Sequence, residues 1–273
     1  MRMKIRATLI HIRPESKKLR LSLRKDFPVL LTLPAYIPVH LIVLYMFIFA
    51  HLICGLLLGL GFCCLTHDRR AIPLCMVFSL IPDVIDKPLG IFIPALVYGR
   101  TVFHSLLIVL IAAIIVLVIL QHRHLRFGIA VVGCIFVHQL LDAMWQLPAI
   151  WVYPLFGPFP LVTPPDYTGY YLWSEITSPS EWVFLMATMV MVNRVFSTGH
   201  GMPDRWYSLW KVTIVLLAAM GIILAGAALS GAYNTFFAPT YSGVITCMAG
   251  ILALAAAGVM LQWHRLKPCD NEN

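Results

Sequence analysis

The stretch FPVLLTLPAYIPVHLIVLYMFIFAHLICGLLLGLGFCCL, residues 27–65, runs for 39 positions without a Lys, Arg, Asp or Glu. A helix needs ~20 apolar residues to cross the ~30 Å hydrocarbon core of a bilayer. One crossing leaves half of this stretch unused and two fit it. The reading therefore divides it near Ala50, into segments at 28–49 and 51–65. A cleaved signal core of only ~7–15 apolar residues is much shorter, so the expectation is a retained membrane region.

The rest of the chain agrees. It is 60% hydrophobic and 12% charged, with a mean hydropathy of +0.85, whereas a soluble domain carries ~25% charged residues. So few charges do not coat a water-facing surface. Residues 106–120 and 212–229 contain none. Further segments are expected at 71–82, 102–120, 127–147, 182–196, 211–231 and 241–263. The fold class is all-α, a polytopic bundle of about eight membrane segments. Long apolar runs satisfy their backbone as helices and lack the alternation of barrel strands.

Charge sets the expected orientation. With a cytoplasmic N-terminus, the inner pieces are 1–26, 66–70, 121–126, 194–211 and 264–273. They hold 18 of the 20 Lys and Arg residues, leaving only Lys87 and Arg100 outside. Loop 148–181 has neither Lys nor Arg. This is the asymmetry of the positive-inside rule, and it places both termini in the cytoplasm. The organisation read is a basic arm at 1–26, a membrane domain at 27–263 with its chemistry at 50–160, and a tail at 264–273. The net charge of +8 is concentrated in the arm, which suits anionic headgroups; nucleic acid is not an expected partner. The seven cysteines contain no CxxC pair, so no zinc-ribbon spacing is present.

Ionisable residues in a membrane are costly and face protein interiors. On this topology His51, Asp83, Asp86, His104, His138 and Asp142 come from four segments and gather toward the outer face. His138 and Asp142 form H-x-x-x-D, four apart on one helical face. The run IPDVID at 81–86 ends a helix and offers two carboxylates at a turn. RTVFHS at 100–105 sets an Arg one turn before a His. Three imidazoles and three carboxylates suit a divalent cation, Zn²⁺ first, with Mn²⁺ or Fe²⁺ as alternatives. His51, Asp83, His104, His138 and Asp142 are the expected ligands. Asp86 is a ligand or a general base, and Arg100 is a binder of an anionic group such as phosphate. Other readings stay open residue by residue: His138 and Asp142 as interhelical glue, Pro82–Asp83 as a helix stop, Arg100 as an interface anchor.

In this order the motifs resemble the YdjM-like family of inner-membrane proteins, which is described as metal-dependent hydrolases. The family pattern is an early His, then L-P-D-x-D, R-x-x-x-H-S and H-x-x-x-D. Here it stands as His51, IPDVID at 81–86, RTVFHS at 100–105 and HQLLD at 138–142, followed by YPLF at 153–156 in place of a short Y-P-F element. The second Asp falls three residues after the first, not two, and Gly99 stands where many members have a His. The family is distantly similar to zinc-dependent phospholipase C and related nucleases. The resemblance therefore implies hydrolysis of a phosphoester or phospholipid-like substrate at the outer face of the cell's inner membrane. A metal-ion or proton-coupled transporter and a non-catalytic scaffold are the competing readings. Glu175 and Glu181, at the outer face, are further candidates for ligand or base, with an N-terminal helix cap as the plainer role of Glu181.

Overall fold

The computed structural model describes residues 48–92, 100–119, 121–156, 173–197, 204–232, 235–236 and 242–263. The basic arm, almost all of the segment expected at 28–49, and the tail lie outside these residues. Among the described residues every regular element is a helix.

Helix α1 (Ile48–Thr66) carries the first motif residue on its first turn. Its leading N–H groups have no partner within the helix. Two glutamates far along the chain supply one: Glu175 Oε1 accepts from Ile48 N at 3.0 Å, and Glu181 Oε2 accepts from Phe49 N at 2.9 Å and Ala50 N at 3.2 Å. Glu181 thus caps α1.

Helix α2 (Ala71–Phe78) lies against α1. Contact is close because Gly55 and Gly59, a G-x-x-x-G pair, face it. A Cβ on Gly59 would sit 2.7 Å from Ile72 Cα, and one on Gly55 would strike the Ser79 side chain and the Cys75 carbonyl. Small residues at this spacing let helix backbones approach.

The segment expected at 71–82 is broken. Pro82 has no N–H to give, and its ring opposes the carbonyl four residues back, that of Phe78. Helix α2 ends there, and α3 (Ile81–Phe92) begins. Pro82 in the first turn of a new helix costs nothing, since that N–H is unpaired in any case. Asp83 and Asp86 therefore stand on the opening turns of α3, not on a terminal turn of α2.

The segment expected at 102–120 is also divided. A 3₁₀ turn, Val102–His104, precedes α4 (Leu106–Ile119). Helix α5 (Gln121–Leu141) returns against α4 and ends just before Asp142. Ala143 there has φ +49°, which stops the helix; a short α6 (Pro148–Trp151) follows. Helix α7 (Pro179–Phe196) packs on α1, and α8 (Asp204–Ser230) pairs with α9 (Gly243–Leu261).

By length and composition α1, α8 and α9 are able to cross a membrane, and 106–118 and 125–141 are shorter apolar helices. The core is Ile53, Leu56, Phe184, Met191, Leu217, Met220 and Leu224 with small residues of α9. The outside is apolar as well. Leu110, Leu117, Val118, Val215, Ile222 and Leu229 are more than half exposed, a surface suited to lipid and not to water.

Candidate metal centre

Five of the seven polar residues expected at the site come from α1, α3, α5 and the 3₁₀ turn; Asp142 directly follows α5, and Arg100 lies just before the turn. All seven are buried: His51, Asp83, Asp86, Arg100, His104, His138 and Asp142 are each at most 4% exposed. One ligand atom from each of Asp83, His104, His138 and Asp142 lies within 4.8 Å of the other three.

The two imidazoles decide what this cluster is able to hold. A carboxylate or carbonyl oxygen only accepts, so a ring nitrogen bonded to it must donate. His104 Nδ1 meets Asp86 Oδ2 at 2.7 Å, and His138 Nδ1 meets the Ser79 carbonyl at 2.7 Å. In a neutral ring so engaged the lone pair is at Nε2. Those two Nε2 atoms are 3.2 Å apart. Asp83 Oδ1 is 3.4 Å from His104 Nε2 and 3.8 Å from His138 Nε2. Asp142 Oδ2 stands at the same two distances, 3.4 and 3.8 Å. Two imidazole Nε2 atoms and two carboxylate oxygens thus converge, a donor set that fits a divalent cation.

Asp86 is not among these four. It accepts from Thr101 N at 2.7 Å, Thr101 Oγ1 at 2.6 Å, His104 N at 3.2 Å and His104 Nδ1. The backbone of 101–104 wraps around this carboxylate, which is why the stretch is a 3₁₀ turn and not the first turn of α4. Arg100 consequently shares no helical face with His104. Its Nη2 reaches Asp142 Oδ2 at 2.9 Å.

His51 lies beside the four. Its Nε2 is 3.2 Å from Asp142 Oδ1, and its ring stacks on His138 with centroids 3.9 Å apart. Glu175 and Glu181 hold the start of α1, as described above. Burial raises the Glu175 carboxyl above the usual range, against the opposing pull of Lys87 and the Ile48 N–H. Lys87 Nζ pairs with Asp83 Oδ2 at 2.6 Å, four residues along the same helix.

Some participants carried no readable signal. Ser79 acts through its backbone oxygen, which any residue would supply. Gln139 donates to the Ser105 carbonyl at 2.9 Å and accepts from Trp151 Nε1 at 3.0 Å, tying α5 to the His104 turn. Lys87 was readable in principle, since it lies four residues after Asp83 on one helix.

One turn deeper, the helices of the site present Cys54, Cys75 and Cys134, all buried. Around Cys75 and Cys134 lie Ala130, Leu58, Phe62 and Phe78. The polar layer ends at the cluster and does not continue along these helices.

The family model for the YdjM inner membrane protein matches residues 46–263, which include the whole cluster. No curated protein and no solved structure matches the chain.

Proposed function

The chain belongs to the YdjM inner membrane protein family, and from that premise we propose that it is a membrane-bound metal-dependent hydrolase acting on a phosphoester or phospholipid-like substrate. The observation that carries this reading is the facing pair of His104 and His138, whose Nδ1 atoms are committed as donors to Asp86 and the Ser79 carbonyl while their Nε2 atoms face each other at 3.2 Å. Asp83, His104, His138 and Asp142 would hold the ion, with Zn²⁺ the first choice for two imidazoles and two carboxylates. When bound, such an ion supplies Lewis acidity toward a phosphoryl oxygen and acidifies water.

The chain's own residues account for the remainder. Asp86 fixes the His104 tautomer and ring orientation, the service that carboxylates give to metal-binding imidazoles. This takes the place of a role as general base, because its oxygens are filled by donors. His51 holds the far oxygen of Asp142. Arg100 holds the near one and is the cation we assign to the anionic group of the substrate. The charge asymmetry of the loops supports an outer-face location.

Charge counting sharpens the competing scaffold reading. Asp83, Asp86 and Asp142 bring three negative charges, and Lys87 and Arg100 return two. One buried negative charge is left over. Either a proton on the imidazole pair or a metal ion balances it, since an isolated buried charge is expensive. A permeation path is disfavoured by the apolar surroundings of Cys75 and Cys134.

The test is elemental analysis of the detergent-purified protein beside His104→Ala and His138→Ala, with hydrolysis of bis(p-nitrophenyl) phosphate followed in parallel. Bound divalent metal and chelator-sensitive turnover in the wild type, both lost in the variants, are expected. Background metal in all three proteins would leave the scaffold reading standing.

A further inference from the structure

We infer that the groove between α2, α4 and α5 is a binding site for one acyl chain of an anionic phospholipid whose phosphate sits at Arg70. The groove has a cavity volume of about 560 Å³ and is lined by Arg70, Leu74 and Phe78 of α2 and its start, Ile115 of α4, and Val131 and Ile135 of α5, among others. That volume is within the ~300–1,000 Å³ of small-ligand sites. Arg70 is the sole charged residue among those lining it.

Three observations choose the occupant. First, the groove is open to an apolar exterior: Ile115 of α4, one of its lining residues, is itself nearly half exposed, and α4 carries no charged or polar side chain. Hydrocarbon is the solvent there, so an apolar chain fills the space and water does not. Second, the charge lies at one end. Arg70 immediately precedes α2, and Phe78 closes its other end. Eight residues of helix span roughly 12 Å, so a chain anchored at Arg70 runs toward the bilayer centre. Third, that end carries more positive charge. Arg126 is exposed and directly precedes Phe127, another lining residue. Asp68 is the acid nearby, and it is engaged with the backbone N–H of Arg70 at 2.8 Å. Basic residues between membrane helices on the cytoplasmic side recognise anionic headgroups, and this is the end the charge distribution assigns to the cytoplasm.

The site is separate from the metal cluster. Its deep end is formed by Phe78, next to Ser79, and Ile135, three residues before His138, while its charged end is nine residues before Ser79. It stands whether or not the cluster binds an ion.

The experiment adds phosphatidylglycerol, phosphatidylcholine or soluble glycerol phosphate to delipidated, detergent-purified full-length protein and measures binding by native mass spectrometry. Phosphatidylglycerol is expected to bind more tightly than phosphatidylcholine, and glycerol phosphate not at all. Arg70→Gln should weaken phosphatidylglycerol about fivefold, the worth of one basic residue near a lipid surface, and leave phosphatidylcholine unchanged. Val131→Trp, which fills the groove, should weaken both lipids, and Ala112→Phe serves the same purpose from α4. Equal binding of the two lipids by the wild type, an unchanged preference in Arg70→Gln, or binding of glycerol phosphate alone would each overturn the assignment.

Discussion

His104 and His138 point their Nε2 atoms at each other across 3.2 Å, although each ring's Nδ1 is already occupied as a donor. Two neutral imidazoles in that arrangement repel, lone pair against lone pair, and a cation between them turns the repulsion into attraction. A ligand that binds only the folded state stabilises it, by about 2.7 kcal/mol at a hundredfold excess over Kd. Chelation of the purified protein should therefore lower its unfolding temperature, and restoring Zn²⁺ should recover it. His138→Ala should not respond to either treatment. A wild type equally indifferent to chelator would mean that a proton balances the cluster.

Asp86 tests how the ion would be held. It touches the ring of His104 on the side away from the cluster. Carboxylates in this position are worth ~10–100-fold in metal affinity. Asp86→Asn should weaken Zn²⁺ by that amount in a competition titration against a chromogenic chelator. Asp83→Asn, which alters a donor atom itself, should weaken it further. Equal losses in the two variants would place Asp86 among the ligands after all.

Much of this site was legible because it is written in local spacing. His138 and Asp142 are four apart and do meet at 3.8 Å, and the segments expected at 51–65, 211–231 and 241–263, which α1, α8 and α9 match, required only the length of runs with little or no charge. The breaks were less visible. Pro82 ends α2 through a clash that sequence shows only once the register is known. The turn at 101–104 bends because three of its backbone N–H groups seek one distant carboxylate. Glu181 resembled a cap for its own helix, yet long-range packing of α7 on α1 sets which N–H groups it meets. Local patterns report propensity, and the last two of these outcomes belong to tertiary contact.

The capping of α1 should show in stability. Glu181 Oε2 is the acceptor for two N–H groups of the first turn. Removing a helix cap costs ~1 kcal/mol, and stranding buried donors adds ~1–3 kcal/mol. Glu181→Ala should lower the unfolding temperature, and hydrogen exchange should accelerate at Phe49 and Ala50 before it does at the centre of α1. Unchanged exchange at those two amides would show that another group caps the helix.

Gly59 and Gly61 make an internal control for the α1–α2 contact. A Cβ on Gly59 meets backbone, 2.7 Å from Ile72 Cα and 3.0 Å from the Ile72 carbonyl oxygen, whereas one on Gly61 meets nothing within 4 Å. Backbone yields little, so Gly59→Val should cost on the order of 1–3 kcal/mol, and Gly61→Ala should be neutral or slightly stabilising through helix propensity. Because Ser79 lies at the end of the same contact, Gly59→Val should also loosen Zn²⁺ binding. Equal thermal stability of the two variants would mean that α1 and α2 are held apart.

Glu175 gives a pH dependence of definite sign. Burial raises its carboxyl above 4.5, more than Lys87 and the Ile48 N–H lower it. The folded state then binds this proton more tightly than the unfolded chain does. Its contribution to stability is full below about pH 4.5 and declines as pH rises through the folded value, because stability falls wherever the folded state holds the extra proton. Glu175→Gln keeps an acceptor for Ile48 N but has nothing to titrate. The comparison is the difference in unfolding temperature between wild type and Glu175→Gln from pH 4 to 8, which cancels the other acids. The variant should gain on the wild type as pH rises above 4.5 and hold a constant lead once the Glu175 carboxyl is fully ionised. A difference that is flat across the range, or that shrinks with rising pH, would show that the charged form of Glu175 is the one the fold favours.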